Sequence, residues 1–173
     1  GSWIASASHD RTLRLWDAHS GECVRVLYGH EGWVTTCAIA PDGSWIASAG
    51  DDNTLRRWNA RSGECLRVLS RHEAGVTACA IAPDGSWIAS TGHAGTLRLW
   101  DARSGECLRV LSGHSRWVNA CAIAPDGHWI ASASSDGRLH RWDAHSGECL
   151  HLLSGNDCWV NACAITPDSR WIV

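Results

Sequence analysis

Lysine, methionine and phenylalanine are absent from this 173-residue chain, and tyrosine occurs once. All 15 basic residues are arginine, and against 18 acidic ones they leave a formal net charge of -3. Such a balance lacks the cationic footprint that neutralises phosphate, so no nucleic-acid partner is expected. No run approaches the ~20 apolar residues of a membrane span, and no basic segment followed by an apolar one opens the chain. Neither a membrane contact nor a secretory leader is therefore expected. The chain begins in mid-repeat at Gly1-Ser2-Trp3, as a segment cut from a longer parent would.

Against these absences stand 12 Trp and 9 Cys, a sign that a few residue types are reused at fixed places. The segment Gly-Ser-Trp-Ile-Ala-Ser starts at Gly1, Gly43 and Gly85, and again at Gly127 with His128 for Ser, a constant offset of 42. A fifth copy starts at Ser169-Arg170-Trp171-Ile172 and stops. Periods of about 20–50 residues mark solenoids, propellers or arrays. Within residues 30–70, short apolar runs alternate with turn clusters: Trp33 to Ala40, Pro41-Asp42-Gly43, Trp45 to Ala49, Asp51-Asp52-Asn53, Leu55 to Trp58, Arg61-Ser62-Gly63 and Cys65 to Leu69. These are four strands, a to d, joined by tight turns, and no segment is long enough for a helical stripe. The expected class is all-β.

Gly29-His30, Ala40-Pro41-Asp42-Gly43, Ile46-Ala47-Ser48 and Trp58-Asn59 resemble the landmarks of the WD-repeat family, over the whole chain. The Trp-Asp pair stands intact at Trp16-Asp17, Trp100-Asp101 and Trp142-Asp143. The near-identity of the copies is similar to bacterial WD-repeat arrays attached to signalling NTPases. The resemblance implies a β-propeller of four-stranded antiparallel blades, four to this chain. The expected division is strands b, c and d at 1–28, full blades at 29–70, 71–112 and 113–154, a lone strand a at 155–168, and the start of a fifth copy at 169–173.

His30, Ser48 and Asp52 have the residue types of a hydrolase triad. The family resemblance implies instead a hydrogen-bonded tetrad in each blade: His30, Ser48, Asp52 and Trp58 in one, His114, Ser132, Asp136 and Trp142 in another. A nucleophile repeated in every blade and tied to a buried Trp suits a scaffold, and no catalytic residue is expected. Ala94 stands at the Asp position of the third copy and Asn156 at a His position, which marks weaker blades.

Cysteines recur on strand d as Cys23, Cys65, Cys107 and Cys149 and on strand a as Cys37, Cys79, Cys121 and Cys163, with Cys158 outside the period. No C-x-x-C pair occurs, so neither a metal nor another cofactor is expected. Small buried thiols between blades fit a reducing, cytoplasmic setting, and Cys158 is expected to be exposed.

Trp33, Trp117 and Trp159 precede strand a, with Gly75 at the fourth equivalent position. In the family, the d-to-a loop and the b-to-c turn open on one ligand face. Carried over, that face holds Trp33, Thr35, Asp51, His93, Trp117, Asn119, Ser135, Trp159 and Asn161, with His9 beside them. These indoles are either binding anchors or inter-blade packing; Trp3, Trp45, Trp87 and Trp129, inside strand b, read as core. The expected function is a non-catalytic interaction scaffold for a protein or peptide, the alternative being a structural product of repeat amplification with no dedicated ligand. Family rings have about seven or eight blades, so four leave exposed edges. Two chains are expected to close one eight-bladed homodimeric ring, in which Trp171 and Ile172 compete with the equivalent Trp3 and Ile4 for one strand b position, so that one of the two copies is displaced or disordered.

Overall fold

The computed structural model describes residues 2–155 and 157–173; the reading of Asn156 lies outside them. Fifteen strands follow in chain order: β1 (Trp3–Ala7), β2 (Thr12–Asp17), β3 (Cys23–Tyr28), β4 (Val34–Ile39), β5 (Trp45–Gly50), β6 (Leu55–Asn59), β7 (Cys65–Leu69), β8 (Val76–Ile81), β9 (Trp87–Gly92), β10 (Thr96–Asp101), β11 (Cys107–Ser112), β12 (Val118–Ile123), β13 (Trp129–Ser134), β14 (Arg138–Asp143) and β15 (Cys149–Ser154). They form a three-stranded sheet β1-β2-β3 and three four-stranded antiparallel sheets, β4 to β7, β8 to β11 and β12 to β15. Among the described residues no helix is long and apolar enough to cross a membrane.

Each turn has a local cause. The Asp17, Asp101 and Asp143 carboxylates and the Asn59 amide oxygen each accept two backbone N–H groups, at residues two and three positions on. Asn59 serves this purpose as well as Asp does, because only one acceptor oxygen is needed. The chain then reverses through Gly21, Gly63, Gly105 and Gly147, whose φ angles of 72°, 79°, 78° and 81° suit a residue without Cβ.

The a-b pairing is in register at both ends but slips between Val34 and Thr36, Val76 and Ala78, and Val118 and Ala120. The extra residues are Thr35, Thr77 and Asn119. A bulge re-aims its side chain, and each of these reaches the next sheet. Thr35 Oγ1 donates to the Val76 carbonyl at 2.6 Å, Thr77 Oγ1 to that of Val118, and Asn119 Nδ2 to that of Val160 at 2.9 Å.

Packing repeats in the same way. The innermost strand of each sheet lies on the preceding sheet: β4 on β1 and β2, β8 on β4 and β5, and β12 on β8 and β9. One buried cluster joins Leu13, Leu15 and Leu27 to Val34, Ile46 and Trp58 of the next sheet; another joins Leu97, Leu99 and Leu111 to Val118, Ile130 and Trp142. Fully burying one such side chain contributes ~1.5–3 kcal/mol. Trp45 and Trp129 are buried and Trp3 and Trp87 half-buried, and Arg57 and Arg141 lie over the Trp45 and Trp129 rings at 4.7 and 4.5 Å.

The sheets are not closed, so a single chain is an open array and not a ring. The final segment is irregular within the single chain. Residues 157–168 make no strand of their own; one bridge joins Ile165 to Ile172, and Ala164 and Val173 exchange backbone bonds at 2.8 and 2.9 Å. Ile172 lies beside Ile165, and Trp171 is exposed.

Candidate functional site

In the β4–β7 sheet the Trp58 indole N–H donates to Ser48 Oγ at 2.8 Å, His30 Nε2 lies 2.7 Å from the same oxygen, and His30 Nδ1 lies 2.8 Å from Asp52 Oδ2. The carboxylate only accepts, so Nδ1 carries the proton and the Ser48 hydroxyl donates to Nε2. In the β12–β15 sheet the same links join Trp142 to Ser132 at 2.8 Å, Ser132 to His114 at 2.8 Å and His114 to Asp136 at 2.9 Å. Burial holds both imidazoles below the ordinary histidine range against the pull of the two carboxylates. Burial raises the Asp52 carboxyl, but hydrogen bonds from Thr54, the Glu31 N–H and His30 outweigh it, so its pKa is lowered.

Ser48 and Ser132 have no exposed surface. A buried hydroxyl already bonded on both sides offers no attack path to a substrate carbonyl, so the chain of bonds serves to tie a loop and two strands together. Gly29 precedes His30 for a steric reason: a Cβ there would stand 2.8 Å from the Arg56 guanidinium and 3.1 Å from the Trp58 ring.

The third sheet keeps half of this arrangement. Trp100 and His72 meet Ser90 Oγ at 2.7 and 2.6 Å, but with Ala94 at the Asp position His72 Nδ1 and Thr96 Oγ1 are buried without a partner. Burial takes His72 down to about 4. The first sheet retains the Trp16 to Ser6 bond at 2.8 Å.

The residues read as a ligand face separate into two groups. Thr35 and Asn119 spend their polar atoms on the inter-sheet latches, and Ser135 Oγ accepts from Asn119 at 3.0 Å. Asp51 and His93 fill the space at Gly75, where a Cβ would meet them at 3.0 and 3.3 Å. The indoles remain outside: Trp33, Trp117 and Trp159 are 54%, 52% and 62% exposed. Trp33 stacks on His9 and Trp117 lies tilted against His93, both at 4.4 Å between ring centres. A cleft of about 430 Å³ brings His93, Ser115, Arg116, Trp117, Ser135 and Trp159 together. Asn161 lines a second cleft that shares Arg116 and Trp159 with the first, with Arg138 and Asp157.

One feature was not expected from sequence. His140 replaces the arginine of the other copies, Arg14, Arg56 and Arg98, and stacks on His114 at 3.9 Å. Burial, then the neighbouring His114, brings it down to about 4. Alignment of the four c strands would have flagged that position. The four strand-a cysteines form a row whose inner members are neutral thiols, with burial pushing Cys79 up to about 12. Cys158 is exposed, and among the described residues no three His, Cys, Asp or Glu side chains gather as metal ligands.

Repeated antiparallel sheets stacked edge to face, each pinned by a Trp-Ser bond, define a tandem-blade protein of the propeller class. The profile of the family described as "WD domain, G-beta repeat" matches residues 1–17, 21–59, 63–101, 105–143 and 147–173, and the chain belongs to this WD40 family. It is similar to the nuclear distribution protein PAC1 of Mycosarcoma maydis, 44% identical over 43 residues, 25% of this chain and 10% of that protein. The PAC1 proteins of Arthroderma benhamiae and Trichophyton verrucosum are each 49% identical over 43 residues, 25% of this chain and 9% of theirs. The chain spans about a tenth of the length of these fungal relatives. WD40 proteins are in general non-catalytic scaffolds for protein interaction.

Proposed function

We propose that this chain is a non-catalytic scaffold that binds a protein or peptide between Trp117 and Trp159. The observation that carries this reading is the pair of half-exposed indoles bordering one cleft of about 430 Å³, with Arg116, Ser115 and His93 as polar neighbours. Large rigid aromatics beside an arginine are the side chains that dominate interface energetics. Trp33, stacked on His9, extends the same face one sheet away. The tetrads His30, Ser48, Asp52 and Trp58, and His114, Ser132, Asp136 and Trp142, hold the loops that carry it.

Two copies form the eight-bladed ring that presents this face twice. The near-identity of the copies supports a bacterial-type array, and the free thiols, the buried Cys79 among them, support a reducing, cytoplasmic setting. A random-peptide display library panned on the chain tests the function. A consensus enriched by the native protein should be lost in Trp117→Ala and Trp159→Ala variants with unchanged thermal unfolding. No enrichment would favour the alternative, a structural product of repeat amplification without a dedicated ligand. A hydrolase activity lost in Ser48→Ala and Ser132→Ala would overturn both.

A further inference from the structure

Neighbouring sheets meet along grooves at the end that carries the a-b and c-d turns, opposite the Trp117–Trp159 cleft. Between the β4–β7 and β8–β11 sheets the chain fills the groove itself. The Arg57 guanidinium lies over the Trp45 ring at 4.7 Å, near the carboxylates of Asp42 and Asp101 and beside the Arg67 cation. Trp45 and Ala102, on either side of it, are each 5% exposed. The contact follows from the strand register: Trp45 pairs with Asn59, and Arg57 lies two residues along on the same side of the sheet.

The next groove, between the β8–β11 and β12–β15 sheets, is not filled. Leu99 stands at the position of Arg57 and is too short to span the Trp87 ring. Trp87 and Ala144 are accordingly half-buried where Trp45 and Ala102 are buried, and a cleft of about 560 Å³ opens, whose walls include Trp87, Leu99, Arg109, His128, Asp143 and His145. The sheets on both sides are complete four-stranded ones, so the opening traces to position 99. The charges that surround Arg57 recur here: Asp84, Arg109 and Asp143 stand at the positions of Asp42, Arg67 and Asp101, while His145 replaces the cationic Arg103. Hydrogen bonds from the Ser86 and Ser146 N–H groups hold the Asp84 and Asp143 carboxyls below their ordinary range.

From this we infer that the groove between Trp87 and Asp143 binds the guanidinium of an arginine side chain from another polypeptide, seated as Arg57 is seated on Trp45. An indole face attracts a planar, weakly hydrated cation, and arginine stacks there better than lysine. The turn bonds to Asp143 from the His145 and Ser146 N–H groups use Oδ1 alone, and Oδ2 is the oxygen that accepts from the guanidinium. The groove between the first two sheets has only half of this arrangement. Leu15 stands there beside a half-buried Trp3, in a cleft of about 270 Å³, but Asn59 occupies the position of Asp143. The Trp87 groove lies at the other end of the sheets from Trp117 and Trp159, and it stands or falls separately from the function proposed above.

NMR of the tryptophan indole N–H groups tests the proposal, with the Trp87 signal assigned by its loss in Trp87→Leu. The probe is a glycine-serine peptide carrying one arginine, titrated to millimolar concentration beside its lysine and citrulline forms. The arginine peptide should move the Trp87 signal and bind roughly fivefold or more tightly than either control. Leu99→Arg supplies the guanidinium from within the chain, as Arg57 does, and Asp143→Asn removes the charge while keeping the turn, as Asn59 does. Both residues already stand at these positions in the second sheet, so both variants should fold, and each should weaken binding by roughly fivefold or more. Arg57→Leu should open the groove at Trp45 and raise the number of arginine sites by one. An unmoved Trp87 signal, equal binding of the citrulline peptide, or undiminished binding by Leu99→Arg overturns the proposal.

Discussion

In the third sheet, Ala94→Asp supplies an acceptor to two buried groups that have none, His72 Nδ1 and Thr96 Oγ1. Their counterparts in the second sheet are served by Asp52, which lies 2.8 Å from His30 Nδ1 and accepts from Thr54 Oγ1 at 2.7 Å. The backbone needs no adjustment. Gly95 has φ 74° where Asn53 has 63°, and the turn bonds from Gly95 to Gly92 and from Asn53 to Gly50 are 3.3 and 3.2 Å. An unsatisfied buried polar group costs ~1–3 kcal/mol, and a hydrogen bond to a charged acceptor contributes ~1.5–3 kcal/mol. Desolvation of the new carboxylate offsets part of this, as burial does at Asp52. A net stabilisation of ~1–3 kcal/mol follows, which a urea slope of ~1–3 kcal/mol/M turns into a midpoint shift of roughly 1 M. Urea unfolding of the four members of a cycle, native, Ala94→Asp, His72→Ala and the double variant, is the assay. The gain should shrink in the His72→Ala background. An unmoved midpoint, or an equal gain with and without His72, would refute the reasoning.

The opposite change, Asp52→Ala or Asp136→Ala, should lower stability by ~1–3 kcal/mol in urea unfolding, since each strips the acceptor from a buried imidazole and a loop N–H. His72 and His140 are both depressed to about 4, so the folded state binds fewer protons than the unfolded chain between that value and ~6.5. Stability should therefore be complete above ~6.5 and decline as pH falls toward 4, and His140→Arg should flatten the decline in midpoints measured at successive pH values. Thr77→Val removes the latch to Val118 and should cost ~0.5–1.5 kcal/mol in thermal unfolding without changing the circular dichroism spectrum.

Strand order and sheet count were legible because each apolar run is bracketed by turn residues whose role is chemical. Asp17 and Asn59 act through one oxygen each, and Gly63 through its φ of 79°. The tetrad residues could be named because four copies show which serine never varies. What could not be read was direction. Thr35 and Asn119 sit at a loop edge and resemble ligand-face residues, but a bulge leaves no mark in composition and turns them into the next sheet. The pairing of His114 with His140 required the c strand to bring position 140 beside the loop histidine. The third copy also carries Arg71 where Gly29 and Gly113 stand, and together with Gly75 and Ala94 this makes its loop the one furthest from the pattern.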